Sequence, residues 1–203
     1  MKTMESNVNR CVVMFLITFL FCPFSAIASN YLSKTYYNDS TFVYTTILPD
    51  SSEPIQDTFY GARFGTSQNN ACGWLANKGI KTYSEYNVIN AYDVMFGGLS
   101  WNFLSMHFNA NGLYNVSFSM YFQIKSDAIS AFDGLSSSLG SKYAIIDWSH
   151  EQDCERILYT DSNYLRTCSL SYEYGISKGG NWYYYVSLKY TDNELYEATE
   201  DEL

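Results

Sequence analysis

Two runs of alternating apolar and polar residues flank Asn111-Gly112, and this pattern constrains the fold of the chain most strongly. Before the turn, Leu104, Met106 and Phe108 alternate with polar neighbours. After the turn, the apolar positions are Tyr114, Val116, Phe118, Met120 and Phe122. An Asn-Gly pair between two such runs is typical of a β-hairpin with one buried face. The sequence therefore predicts an antiparallel hairpin at this position.

Two helices and several further strands are predicted around the hairpin. The first helix spans about 67–79 and the second about 126–140, and each follows a serine cap and ends at a glycine. Further alternating runs predict strands at 41–48, 143–148, 156–160, 164–174 and 182–191. The expected fold class is α+β: antiparallel sheet with two helices packed on one face, in which a helix–strand-meander unit occurs twice.

The first 28 residues are typical of a secretory signal peptide. Lys2 and Arg10 give a positive start, residues 11–24 are apolar, and Ala28 ends a small-x-small cleavage site. The apolar run is shorter than the roughly 20 residues that a membrane-spanning helix needs. We therefore expect cleavage and export to the periplasm or the extracellular space, with an uncleaved membrane anchor as the alternative.

The rest of the chain divides into a linker region, a domain and a tail. Residues 29–57 are predicted to hold a strand and a linker, and 58–191 an α+β domain in two halves, about 58–124 and 125–191. The acid-rich segment 192–203 is predicted to be a tail. No stretch after the signal is long enough to span a membrane. The net charge of −9 argues against nucleic acid as a partner.

Several segments carry a resemblance to a type of small exported bacterial protein. They are FYGARFGTS (59–67), LANKG (75–79), FGGLSWNFLSMHFNANGLYNVSFSMYF (96–122), the helix end at Lys142-Tyr143, the pair Cys154 and Cys168, and VSLKYTDNELYEATEDEL (186–203). Over residues 59–203 the chain resembles uncharacterised exported proteins with a BamE-like or beta-lactamase-inhibitor-protein-like fold. The resemblance implies a helix-then-meander repeat and a location in the cell envelope, and it assigns no activity.

Three cysteines remain after the signal is removed. Cys154 and Cys168 flank a turn-like stretch, 159–163, so neighbouring antiparallel strands would bring them together. We expect a disulfide between them, which would stabilise the fold by about 3 kcal/mol. Two free buried thiols are the alternative. Cys72 is predicted to be a small core residue on a helix.

The sequence holds one near match to a catalytic motif. HEQDC (150–154) differs from the zinc-protease motif H-E-x-x-H because Cys154 replaces the second histidine, and only His107 is left as a third ligand. A hydrolytic triad would need His150, Asp147 and a serine, but no nucleophile-elbow sequence is present. We therefore expect no catalytic, metal-binding or cofactor-binding residue, and a protein that is not an enzyme.

A set of tyrosines is the strongest candidate for a binding face. If Trp182 and the alternate residues after it face the core, Tyr183 and Tyr185 face the other way. Tyr172 and Tyr174 are predicted to join them from the neighbouring strand. Exposed tyrosines on a sheet are typical of recognition surfaces. The alternative is that a helix or the 29–57 segment covers them.

The predicted function is therefore that of an exported, non-catalytic binding protein. A protein is the first expected partner and a glycan the second, and the role would be that of an inhibitor, an envelope assembly factor or a surface scaffold. The alternative is a secreted hydrolase, or a small-ligand-binding or glycan-binding protein, with an unrecognised site.

The signal peptide generates the first testable prediction. The mature product is expected to begin at Ser29, because signal peptidase cleaves after small-x-small sequences. Intact-mass measurement of the protein purified from its native host checks the cleavage site. A product that still begins at Met1 would show that the segment is not removed.

Overall fold

The computed structural model describes residues 32–37, 41–46, 53–151, 154–161, 163–176 and 179–200, and the predicted signal peptide, 1–28, lies outside them. Groups of four strands alternate with single helices along the chain. The strands are β1 (Leu32–Tyr37), β2 (Thr41–Thr46), β3 (Thr58–Phe59), β4 (Ala62–Arg63), β5 (Thr82–Glu85), β6 (Val88–Phe96), β7 (Leu99–Asn109), β8 (Gly112–Phe122), β9 (Ala144–Glu151), β10 (Cys154–Thr160), β11 (Arg166–Ile176) and β12 (Trp182–Asp192). The helices are α1 (Gln68–Asn77), α2 (Lys125–Gly140) and α3 (Asn193–Glu200).

A ten-stranded antiparallel sheet dominates the fold. Its strand order is β1-β2-β9-β10-β11-β12-β8-β7-β6-β5, and β3 and β4 form a separate short hairpin. Strands β5 to β8 are consecutive neighbours, as are β9 to β12, and the two groups meet where β8 pairs with β12. The prediction of a mixed α+β chain with antiparallel sheet is confirmed, although strands outweigh helices.

One face of the sheet carries the hydrophobic core. Leu170 pairs with Leu188, Leu188 with Phe118, and Phe118 with Leu104, so the four residues form a row across β11, β12, β8 and β7. All four are buried. Because directly paired residues of antiparallel strands point to the same side of a sheet, this row defines what we call the core face.

The predicted β7–β8 hairpin is present, and the geometry of its turn requires glycine at position 112. Gly112 has a φ of 107°, and a Cβ atom there would lie 2.3 Å from the carbonyl oxygen of Gly65. The close approach lets the backbone N–H of Gly65 donate to the Leu113 carbonyl at 2.8 Å. Only glycine meets both the conformation and the contact, so the turn also anchors the segment that leads into α1.

Helices α1 and α2 bury their apolar residues in the core. Helix α2 contacts β8, β10, β11 and β12, and its Phe132 ring lies edge-on to Tyr172 with the centroids 6.4 Å apart. Helix α1 contributes Ala71 and Leu75 to the same buried cluster. It ends at Asn77, with Lys78 as the C-cap, and Gly79 then takes a left-handed φ of 74°, as expected for a helix terminator.

Two terminal regions differ from the expectation. The 29–57 segment holds a pair of strands, β1 and β2, and β2 extends the sheet by pairing with β9. The acidic segment predicted to be a tail forms helix α3, which contacts β8 and β12. The amide of Asn109 donates to the Leu195 carbonyl at 2.6 Å, which ties the helix to the end of β7.

The predicted Cys154–Cys168 disulfide is wrong, because both thiols are free. Tyr159 pairs with Cys168 and Glu155 with Tyr172, so Cys154 and Cys168 are offset by several residues along the β10–β11 pair. Alternation also points Cys168 toward the core face and Cys154 away from it. A disulfide needs Cα atoms within about 7 Å and converging side chains. Burial raises the pKa of the Cys168 thiol.

The core face generates the second prediction. Phe118 is fully buried, with the Phe96 ring stacked on it at 4.3 Å and Trp101 at 5.4 Å. Phe118→Ala is expected to lower the free energy of unfolding by about 3–5 kcal/mol, because it removes these contacts and leaves a cavity. Urea unfolding measures the change. The matched control is Ser119→Ala on the other face of the same strand, expected within about 0.5 kcal/mol of the parent. A small loss for Phe118→Ala would contradict the register of β8.

Candidate functional site

The face of the sheet opposite the core is lined at its centre by serines. Ser171 pairs with Ser187 and Ser187 with Ser119. The next row runs from Ser169 through Lys189 of β12 to Ser117 and Ser105. We call these residues the serine floor: Ser105, Ser117, Ser119, Ser169, Ser171 and Ser187. They alternate along their strands with the buried residues of the core face. Their side chains are short and are buried or half-buried.

Six aromatic rings extend the same face across β5, β6, β7, β8 and β12. We call them the aromatic band: Tyr83, Tyr92, Phe103, Tyr121, Tyr183 and Tyr185. The ring centroids of Tyr83 and Tyr92 are 5.9 Å apart, and those of Tyr92 and Phe103 5.2 Å. At the other end, Tyr183 lies 5.7 Å from Tyr121 and 6.0 Å from Tyr185. The rings therefore form two groups of three, in each of which the rings contact one another.

Much of the aromatic band is open to solvent. The exposed fraction is 62% for Tyr83, 60% for Tyr92 and 48% for Tyr121. Aromatic rings of this size contribute most to stability when they are buried, so a contiguous exposed set is costly unless a partner covers it. The band is thus the feature of the described surface that most needs a functional explanation.

Specific contacts hold the rings at the β12 end of the band. The hydroxyl of Tyr185 donates to the Glu173 carboxylate across the β11–β12 pair. Burial, together with this carboxylate, raises the pKa of Tyr185, so its hydroxyl stays protonated at neutral pH. The ring of Tyr183 lies over Gly175, where a Cβ atom would come within 2.7 Å of it. Both rings are therefore positioned by their cross-strand partners.

A backbone irregularity ends the band at Tyr92. Tyr92 pairs with Phe103 and Val94 with Trp101, so regular alternation would put all four residues on one face. Instead, Val94 and Trp101 are buried in the core. Asp93, which lies between Tyr92 and Val94 on β6, has a left-handed φ of 52°. This conformation is uncommon for a residue other than glycine, and it turns the end of the hairpin away from the aromatic band.

The structure divides the four predicted tyrosines between the two faces. Tyr183 and Tyr185 lie in the aromatic band, as described above. Tyr172 pairs with Val186 and Tyr174 with Tyr184, which places both on the side of the core face. Tyr172 is buried and stacks on Tyr184 at 6.2 Å, and exposed Tyr174 contacts Trp182. The predicted set therefore does not form one continuous surface.

Sequence reasoning missed the other four members of the band: Tyr83, Tyr92, Phe103 and Tyr121. Strands β5 and β6 were not expected, because exposed rings interrupt the apolar–polar alternation that marks a half-buried strand. Phe103 and Tyr121 occupy positions of β7 and β8 that the alternation assigns to the polar side. Large rings at such outward positions are the signal that could have identified them.

The histidines do not form a catalytic or metal site. His107 lies on the serine-floor side, with Nε2 3.0 Å from the Ser105 hydroxyl, and burial followed by the charge of Lys189 lowers its pKa. His150 lies on the core-face side, with Nδ1 3.5 Å from Glu155. Four strands separate β7 from β9. Within the described ranges, no cluster of His, Cys, Asp and Glu could hold a metal ion, and no helix is long and apolar enough to cross a bilayer.

The packing of Tyr183 on Gly175 generates the third prediction. Gly175→Ala is expected to displace the Tyr183 ring, because the new methyl group would overlap the far end of that ring. The tyrosine is able to rotate, so the free energy of unfolding is expected to change by less than about 1 kcal/mol. Shifts of the Tyr183 and Tyr121 ring protons in NMR spectra measure the displacement.

Gly134→Ala in α2 is the matched control for this change. No atom lies within 4 Å of a Cβ placed on Gly134. Alanine is expected to stabilise the helix by up to about 1 kcal/mol and to leave the band's ring signals in place. Unchanged Tyr183 signals in Gly175→Ala would show that the ring does not rest on this glycine.

Comparisons of the chain with protein-family models, with curated proteins and with solved structures gave no match. The resemblance to BamE-like and beta-lactamase-inhibitor-protein-like proteins therefore remains a prediction from the sequence. Function has to be argued from the geometry of the serine floor and the aromatic band.

Proposed function

We propose that the chain is an exported, non-catalytic binding protein that docks a protein partner on the aromatic band and the serine floor. The observation that carries this proposal is the band of six exposed or half-exposed rings on the side of the sheet opposite the core. Tyrosine supplies a large, rigid contact area with a polar tip, at little cost in side-chain entropy. Export rests on the predicted signal peptide.

The serine floor suits close approach by another protein. Its short side chains let a protruding loop or helix of the partner reach the backbone of the sheet, and each hydroxyl offers a donor and acceptors. Charged groups of both signs lie on the same face: Arg156 pairs with Ser171, Lys189 lies between Ser169 and Ser117, and Glu173 pairs with Tyr185. A protein surface carries both signs and matches this mixture, which is the reason for favouring a protein over a neutral glycan.

The proposal also includes a repeated architecture with both helices on one face. Helix α1 precedes the four-strand meander β5 to β8, and α2 precedes the four-strand meander β9 to β12. Leu75 of α1 and Phe132 of α2 belong to one buried cluster. If both helices occupy the core face, the other face of both meanders is left available to a partner.

The docking surface generates the fourth prediction. The double variant Tyr183→Ser with Tyr185→Ser is expected to abolish partner binding, because it removes two rings of the band. The melting temperature is expected to stay within a few degrees of the parent, since both side chains lie outside the core cluster. The matched control replaces Tyr174 and Trp182, which form an exposed ring pair on the other side of the sheet, with serine.

The partner is to be captured by photo-crosslinking in the native host. A crosslinking residue at Tyr121, inside the band, is expected to trap a specific protein, and the same residue at Tyr174 is not. The Tyr183 and Tyr185 double variant should lose the crosslink, and the control should keep it. Crosslinks from Tyr174 alone, or equal loss in both double variants, would refute the proposal that the band is the docking surface.

A further inference from the structure

A second candidate site lies beside the sheet edge, in a groove between the end of α1, the β3–β4 turn and the second half of β6. Its volume is about 870 Å³, which is the size of a site for a small ligand. The residues that matter for its chemistry are Tyr60, Trp74, Lys78, Lys81, Asp93 and Met95. We call it the α1–β6 groove.

An exposed tryptophan forms one wall of the groove. Trp74 is 48% exposed although it belongs to a helix whose other large apolar residue, Leu75, is fully buried. Its ring is held against Gly61, where a Cβ atom would lie 2.7 Å from the ring. Gly61 has a φ of 100°, so both its conformation and this contact require glycine. The ring is thus fixed in place while half of it stays in solvent.

The other wall consists of the part of β6 that has no β5 partner, from Tyr92 onward. Tyr92 and Met95 are 60% and 61% exposed there, and the hydroxyl of Tyr60 donates to the Met95 carbonyl at 3.0 Å. Burial raises the pKa of Tyr60 to about 12, so this hydroxyl remains a donor at physiological pH. The hydrogen bond connects the β3–β4 turn to β6 across the floor of the groove.

The groove carries more positive than negative side chains, whereas the whole chain is acidic. Lys78 and Lys81 both line it, and neither has an ion pair among the residues that the structure describes, in a protein with a net charge of −9. Asp93 supplies the acceptor, and its left-handed φ inside a strand is the kind of strain that is found at functional sites. The groove therefore combines a ring platform, two free cations and one carboxylate.

We propose that the α1–β6 groove binds an acidic oligosaccharide. The apolar face of a sugar ring stacks on an aromatic platform such as Trp74. Its carboxylate pairs with Lys78 and Lys81, and its hydroxyl groups donate to the Asp93 carboxylate. A simple anion would gain from the lysines but would be repelled by Asp93, whereas an acidic sugar uses both kinds of group. This site shares Tyr92 with the aromatic band, but Trp74, Lys78, Lys81 and Asp93 lie outside the proposed protein-docking surface.

The test measures binding of hexagalacturonate to the full chain by isothermal titration calorimetry. Hexagalacturonate is expected to bind, with affinity that falls as salt screens the lysines, and maltohexaose, its neutral counterpart, is not. Trp74→Ala and the double variant Lys78→Gln with Lys81→Gln are each expected to weaken binding by about ten-fold or more. The lysine variant keeps the packing of the exposed helix end, so its folding is secure even if Trp74→Ala proves unstable.

Three results would overturn the proposal: no heat with hexagalacturonate, equal binding of maltohexaose, or full affinity in the lysine variant. Inorganic phosphate that competes with hexagalacturonate at equal concentration would reduce the groove to a nonspecific anion site and would also overturn it. The Tyr183 and Tyr185 double variant should bind the sugar as the parent does. This control separates failure of the groove from failure of the protein-docking surface.

Discussion

The pairing of β8 with β12 is the constraint on which the rest of the structure depends. This ladder joins two four-strand meanders into one sheet, and its register sets which residues of both meanders face the core. With Leu188 opposite Phe118, the apolar row continues unbroken from one meander into the other. A slip by one residue would place Lys189 opposite Phe118 and would turn every side chain of one meander to the wrong face. Burial of the core row therefore also fixes the aromatic band.

The same register determines which residues form the core and which form the proposed binding surface. Along the paired stretch of β8 and β12, residues of the core face alternate with residues of the opposite face, so Ser119 and Tyr121 take their positions from Phe118. Residues at these outward positions can be substituted without changing the fold, because they contribute little to core packing. Serines and tyrosines at such positions, in place of the charged residues typical of a solvated face, are the reason for reading the surface as functional.

The sequence predicted what depends on local pattern and missed what depends on register. The Asn111-Gly112 hairpin and helices α1 and α2 follow from turn chemistry and periodicity, and all are present. The predicted serine caps are not formed: Ser67 makes no side-chain cap hydrogen bond, and the N-cap of α2 is Ile124 rather than Ser126. The register between β11 and β12 has no local signature, so the prediction put Tyr172 and Tyr174 on the wrong face. The disulfide failed for a related reason: strand residues pair only when they lie equally far from the turn, and Cys154 lies farther from it than Cys168. The acid-rich composition of 192–203 predicts a solvated tail, and it gives no sign of the hydrogen bond from Asn109 to the Leu195 carbonyl that holds α3 against the sheet.

The irregularity at Asp93 links the two proposed sites physically. The reversed alternation of β6 places Val94 in the core, so no residue of β6 after Tyr92 joins the aromatic band. Tyr92 also lines the α1–β6 groove, so one side chain belongs to both surfaces. In a regular strand, Val94 and Trp101 would lie on the face of the aromatic band, and the Asp93 side chain would not line the groove. The backbone strain at this single residue thus separates a flat surface suited to a protein from a groove suited to a small ligand, within one continuous sheet.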